Sequence, residues 1–269
     1  MSAANDEVIV FYHLPKSAGT TLNRILRHNY RPDEMAESGP NMQEFLADLM
    51  SWPAERLAAI RFLQGHFPFG VHERLPQPAR WFTILRDPVD RVLSQYYHIK
   101  RDPDYFLHHH IHEQNMSLPQ FLDSGIPLLL NDGQVRLMSG VYSGANMGEV
   151  TEDMLATAIA NLRSCAVVGL TEEFDLSLVL LQRAFGWRFI GYRPVNVGHN
   201  RPPLEAVSAE TIAAIRRYNR LDAILYEEGR RLLAQQAASA GRSLGWRLMN
   251  LNLQKKVPDR WIHHLPGLH

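Results

Sequence analysis

FYHLPKSAGTTLNRILR, residues 11–27, passes from an apolar run through a short polar loop into a helical pattern. Backbone N–H groups at the start of a helix bind anions, and the helix dipole adds to that attraction. Around this junction Lys16 brings a compact positive charge. Ala18 and Gly19 let an anion come close to the backbone, and Thr20 and Thr21 carry hydroxyl donors. The loop lacks GxxxxGK[ST] spacing, because its lysine precedes its one glycine. Read alone, it is either an anion loop of another kind or a helix cap beside a solvated lysine.

Outward from this loop, β-rich apolar runs alternate with helical periodicity. Strands are predicted at VIVFYHL, RFLQGH, WFTILR and CAVVGL. Helices are predicted from near Thr20, from Pro88 to about Lys100, over EDMLATAIANLR, and over EFDLSLVLLQRAFG with Gly186 as its stop. SAETIAAIRRYNRLDAILYEEGRRLLAQQ reads as one long amphipathic helix or a helix pair, with Ser208 as N-cap. Such alternation predicts an α/β fold, a parallel sheet covered on both faces with ligands at the strands' carboxyl ends. Residues 101–148 are irregular and read as an insertion over that edge that binds the acceptor. The tail, residues 241–269, mixes aromatic and basic residues, which suits docking on the domain or a peripheral membrane or partner contact.

TILRDPVDRVLSQYY places Arg86 at the end of a predicted strand and Ser94 inside the next helix. An Arg fork at a strand end with a hydroxyl on the following helix suits a second phosphate. An ordinary helix start with an Arg86–Asp87 pair stays open.

HLPKSAGTTL and RDPVDRVLSQYY together resemble the two cofactor-binding motifs of the PAPS-dependent sulfotransferases. The likeness is greatest to the carbohydrate type that includes the heparan sulfate 2-O- and 6-O-sulfotransferases and bacterial relatives. GHFPFG, NDGQVRLMSG, VVGLTEEFDLSLVLL and NVGHNRPP extend the resemblance in order, from about residue 8 to 233. It implies the sulfotransferase fold, a P-loop-like central parallel β-sheet flanked by helices, as one domain over 1–240 with a helical tail over 241–269. It implies PAPS as donor and adenosine 3′,5′-bisphosphate (PAP) as product, without a metal. Lys16, Ser17, Ala18, Gly19, Thr20 and Thr21 would hold the 5′-phosphosulfate, and Arg86 and Ser94 the 3′-phosphate. Asn200 and Arg201 would close over the nucleotide.

Transfer to a hydroxyl needs a base near neutrality and a cation at the departing charge. His66, at the end of FLQGH, is the expected base, in agreement with the family resemblance, and Lys16 the expected cation. Gln64 stands where some relatives have a second His. His72 and Glu73 are reserve bases, with His72 also on the acceptor side, and Arg136 would orient the acceptor or pair within the insertion. HHHIHE, residues 108–113, reads as a solvated or acceptor-facing patch rather than a metal site. Trp52, Tyr96, Tyr97 and Tyr142 would stack on sugars or fill the core. A nucleoside or metabolite kinase and a non-catalytic glycan-binding protein are the competing readings.

Composition sets the remaining bounds. The 269 residues are 45% hydrophobic and 21% charged, enough for one sizeable core. Lys plus Arg and Asp plus Glu both number 28, so broad capture of nucleic acid is not expected. The lone cysteine, Cys165, allows no internal disulfide and lies in an apolar run that suits packing. No run suggests a signal peptide or membrane span, and a cytoplasmic, reducing setting is the expectation.

Overall fold

The computed structural model describes residues 7–39, 41–141, 146–193, 202–241 and 243–257; Tyr142, Asn200 and Arg201 lie outside them. In chain order the first half runs β1 (Val8–Tyr12), α1 (Gly19–Leu26), β2 (Met35–Glu37), α2 (Met42–Ser51), α3 (Ala54–Ala59), β3 (Phe62–Gly65), β4 (Ala79–Leu85) and α4 (Pro88–Arg101). Short helices α5 (His108–Glu113), α6 (Leu118–Asp123) and α7 (Gly133–Met138) follow. The chain ends through α8 (Glu152–Ser164), β5 (Val167–Leu170), α9 (Phe174–Phe185), α10 (Ala209–Tyr218), α11 (Arg220–Ala240) and α12 (Ser243–Gln254).

The five strands form one sheet in the order β2-β3-β1-β4-β5, and every pairing is parallel. This is the predicted α/β architecture with one addition: β2 is a short edge strand that its three-residue sequence did not announce. β1 lies at the centre and is apolar throughout, as a strand covered on both faces must be. After β1 the chain goes to the edge at β2, returns to β3 beside β1, and then crosses to β4 and β5 on the other side. The sheet order therefore reverses at β1, and the carboxyl ends around it open a crevice.

Alternation along β1 assigns the two faces. Phe11 stacks on Phe82 at 4.7 Å between ring centres, and Phe82 continues to Phe185 and Trp187 at the end of α9. Tyr12 faces the other way, edge-on to Phe67 and stacked with Phe69. Helix boundaries follow local chemistry. Asp87 accepts from the Asp90 N–H with Pro88 at the first turn of α4, Ser208 caps α10, and Gly186 closes α9 at φ 70°. The Ser208 segment is a helix pair, broken at Asn219.

The 101–148 insertion divides between two cores. The outer face of α4 packs with α5, α6 and α10 through Val92, Ile99, Ile111, Phe121 and Ile215. Helix α7 instead joins the main core through Val135, Leu137 and Met138. It is held there by Asp222 of α11, which accepts hydrogen bonds from the Gln134 and Val135 N–H groups and from Arg91 of α4. Arg91 and Asp222 are 1% and 0% exposed. Asp132 accepts from the N–H groups of Leu221 and Asp222, and Asn219 bridges to Arg91. Cys165 is buried, as predicted, with its Sγ directed at the Asn161 carbonyl.

Removing one partner of a buried ion pair strands the other charge. Asp222→Ala is expected to cost about 3–5 kcal/mol of stability, read as a lowered urea midpoint. The double variant Arg91→Met/Asp222→Asn, whose amide oxygen can still accept from α7, should recover part of that loss.

Candidate active site

Sheet register brings the polar strand ends together. Tyr12 pairs with Gly65 of β3 and with Thr83 of β4, so the residues that follow all three strands meet at one edge. His13 and His66 are the next residues beyond the β1–β3 pair, and their rings lie 4.2 Å apart. Lys16 and Arg86 lie beyond the β1–β4 pair, and Arg86 Nη1 donates to the Lys16 carbonyl at 2.8 Å.

The loop after β1 has an unusual backbone. Lys16 and Ala18 both take left-handed conformations, at φ 67° and 58°. L-residues pay for this with strain, typically about 1–2 kcal/mol per residue. The loop ends on Ala18, the N-cap of α1, which makes no side-chain cap, and the first turn carries no acidic residue. The N–H groups of that turn therefore stay available to an external anion. Ser17 is fully buried beneath the loop, and its hydroxyl has no hydrogen-bond partner. Thr21 is buried and Thr20 exposed.

His66 Nδ1 lies 2.7 Å from the His13 carbonyl. A carbonyl only accepts, so Nδ1 carries the proton and Nε2 presents its lone pair. Desolvation lowers the His66 pKa from the ordinary histidine value, and the Lys16 charge lowers it further, against the opposing hydrogen bond to His13. His66 therefore stays neutral at pH 7. The His13 ring stacks between Phe11 and His66, and burial holds it well below the usual range. Gly19 provides its room, since a Cβ there would overlap the imidazole. HLP read as the end of a strand, so sequence reasoning missed His13; its place one residue past a pairing strand was the usable signal.

Lys16 is depressed to about 8, first by burial and then by the charges of Arg101 and Arg86, with Asp102 opposing. His98 is also lowered, by burial and then by Lys16. Ser94, His98 and Arg101 recur at i, i+4 and i+7 along α4, which places them on one face. His98 and Arg101 were absent from the predicted set, although helical spacing from Ser94 could have found them. Arg86 pairs with Asp90 at 2.7 Å, one turn along the helix, rather than with Asp87. Its backbone N–H and C=O are both gripped by the side-chain amide of Gln134 on α7.

Two predicted acceptor-side residues are corrected. Arg136 is 0% exposed, and its guanidinium donates to the Asn131 carbonyl and amide oxygens and to the Asn146 carbonyl. It organises the insertion and does not face an acceptor. His72 belongs to the opposite sheet face: its Nδ1 accepts from Tyr12 Oη at 2.5 Å, and its ring stacks on Trp81. Neither the reserve-base nor the acceptor-binding reading suits that aromatic cluster. His108 and His112 bond the Ile99 and Lys100 carbonyls near the end of α4, and among the described residues no acidic, His or Cys group could hold a metal ion. Trp52 lies under Arg56, and Tyr96 is buried with its hydroxyl on the Met116 carbonyl.

The edge thus combines an uncapped helix start, a lysine, an arginine and a neutral imidazole. A sequence profile of the sulfotransferase family matches residues 2–127, the stretch carrying Lys16, His66, Arg86 and Ser94. Human heparan-sulfate 6-O-sulfotransferase 1 is 28% identical over 276 aligned residues, covering 86% of this chain and 66% of that protein. Zebrafish heparan-sulfate 6-O-sulfotransferase 3-B is also 28% identical, over 86% and 65%. This chain is similar to members of the sulfotransferase family. It spans just under two thirds of the length of these relatives. A crystal structure of mouse sulfotransferase SULT7A1 complexed with PAP superimposes at a TM-score of 0.40 with 15% identity, over 82% of this chain and 66% of that one.

Gly19→Ala is expected to displace the His13 ring and free His66. The expected outcome is a stability loss of about 1–3 kcal/mol, with the His66 pKa, followed by NMR, rising toward the ordinary histidine value. An unmoved His66 titration would show that His13 does not govern it.

Proposed function

We propose that this protein transfers a sulfuryl group from PAPS to a hydroxyl of a carbohydrate. One observation carries the reading: a neutral His66, its tautomer fixed by the His13 carbonyl, stands at the same sheet edge as the Lys16 loop. The names of the human and zebrafish relatives support a glycan acceptor.

The loop fits the anionic end of such a donor. Its helix start is uncapped, and the buried Ser17 hydroxyl lacks a protein partner. Lys16, Ser17, Ala18, Gly19, Thr20 and Thr21 would hold the 5′-phosphosulfate. Arg86, already oriented by Asp90 and Gln134, and Ser94 of α4 would hold the 3′-phosphate. Bound PAPS supplies an activated sulfuryl group, with PAP as the product left behind. Residues 194–201, which include Asn200 and Arg201, fall outside the described residues, so their part in nucleotide binding rests on sequence resemblance.

His66 Nε2 takes the proton of the attacking hydroxyl, and the Nδ1–H bond to the His13 carbonyl steadies the imidazolium that forms. Lys16 stabilises the negative charge that grows on the departing oxygen. Desolvation serves the two groups differently. It keeps His66 unprotonated at neutral pH, and it makes the Lys16 charge felt more strongly in the crevice.

His66→Ala is expected to lower kcat by roughly 10²–10⁴-fold while calorimetry shows PAP binding retained. Wild-type turnover in that variant would exclude His66 as the base. Binding of ATP with Mg²⁺ in preference to PAP would favour a kinase.

The pH dependence has a defined sign. An anion needs protonated Lys16, so PAP affinity should fall as pH rises through about 8. Lys16→Arg keeps its charge throughout and should flatten that limb. On the acid side, kcat/KM should fall only below the ordinary histidine pKa, because His66 is shifted down.

A further inference from the structure

Helix α12 carries apolar residues on two opposite sides. Leu244, Leu248 and Leu251 pack toward the core, and Gln254 accepts from the Ile190 N–H. Lys255 pins the end of the helix to Asp175 at 2.6 Å and lies over the Tyr192 ring. The outer side presents Trp246, Met249 and Leu253, at 60%, 56% and 56% exposure. At about 100° per residue these three fall within roughly 60° of arc, opposite the inward leucines. Among the described residues the other large exposed apolar side chains, Met50, Phe106, Val141, Leu204 and Ile224, lie singly on separate segments. Single exposures are ordinary on protein surfaces, whereas an aligned apolar stripe marks a contact.

Charge distinguishes the kind of surface that fits. Residues 241–269 contain five basic residues and one acidic, while residues 1–240 contain 23 basic and 27 acidic. A chain of zero net charge thus concentrates its positive excess in its last segment. Helix α12 has no Asp or Glu, and Lys256 just beyond it is exposed. A Trp/Met/Leu stripe beside basic residues is the pattern of a helix lying in the plane of a membrane interface. A densely hydrated polyanion would satisfy the basic residues but leave the stripe in water. Among the described residues no helix is long and apolar enough to cross a membrane, so the contact is peripheral.

We infer that α12 docks this protein on an anionic lipid surface, with Trp246, Met249 and Leu253 inserted at the headgroup boundary and the flanking basic residues over the acidic headgroups. The helix is already folded and fixed to α9, so docking carries the whole domain to the surface.

Flotation of the full-length protein tests this, using phosphatidylcholine vesicles with or without one-third phosphatidylserine. The expected result is binding to the anionic vesicles, loss at high salt, and weak binding to neutral ones. The variant Trp246→Ser/Met249→Ser/Leu253→Ser should partition about tenfold less or weaker still, with an unchanged thermal midpoint because all three side chains face solvent. Failure of the wild type to bind anionic vesicles at low salt would overturn the inference, as would equal binding by the triple variant. A lipid-free dimer that the triple variant abolishes, without vesicle binding by the wild type, would make the stripe a self-association surface instead.

Discussion

Asp222 is buried without solvent contact, and much of the crevice depends on how its charge is met. Two N–H groups of α7 and the guanidinium of Arg91 surround it, so one carboxylate fastens α11, α7 and α4 to each other. A lone charge in such a place would be prohibitive; full hydrogen bonding is what makes it tolerable. The consequence reaches the site, because α7 carries Gln134, whose amide holds both backbone groups of Arg86. The arginine proposed for the 3′-phosphate is thereby positioned from the far side of the core.

The loop at the end of β1 follows the opposite principle. It has left-handed backbone at Lys16 and Ala18, an uncapped helix start and a buried hydroxyl without a partner. Each feature weakens the folded chain by itself, and together they leave donors directed at one place. Strain and unmet hydrogen bonding gathered beside a neutral imidazole and a partly desolvated lysine are the signature of a site prepared for a ligand. The stable frame of the sheet tolerates that cost.

Much of this was legible in the chain. VIVFY and WFTIL are apolar on both strand faces, which identifies buried parallel strands, and Asp87-Pro88, Ser208 and Gly186 mark helix ends by local chemistry. What escaped was set by partners distant in sequence. MAE is too short to show a period, and it is a strand only because β3 offers an edge. Arg136 suits either an acceptor or a partner within the insertion by its sequence, and only the fold gives it Asn131 and the Asn146 carbonyl. His72 is close to His66 in sequence, but the turn after Gly70 carries it to the aromatic face under Tyr12.

The sequence by itself determined the alternation of strands and helices, the anion loop with its lysine ahead of its glycine, and the arginine and histidine at strand ends. Those depend on local periodicity, capping and residue chemistry, which a linear chain carries with it. Only the tertiary structure decided that His13 would set the tautomer of His66, that Gln134 would hold Arg86, and that His98 and Arg101 would join Lys16. The reason is parallel pairing: β3 and β4 flank β1 in register, and residues 53 and 70 positions apart meet at hydrogen-bonding distance.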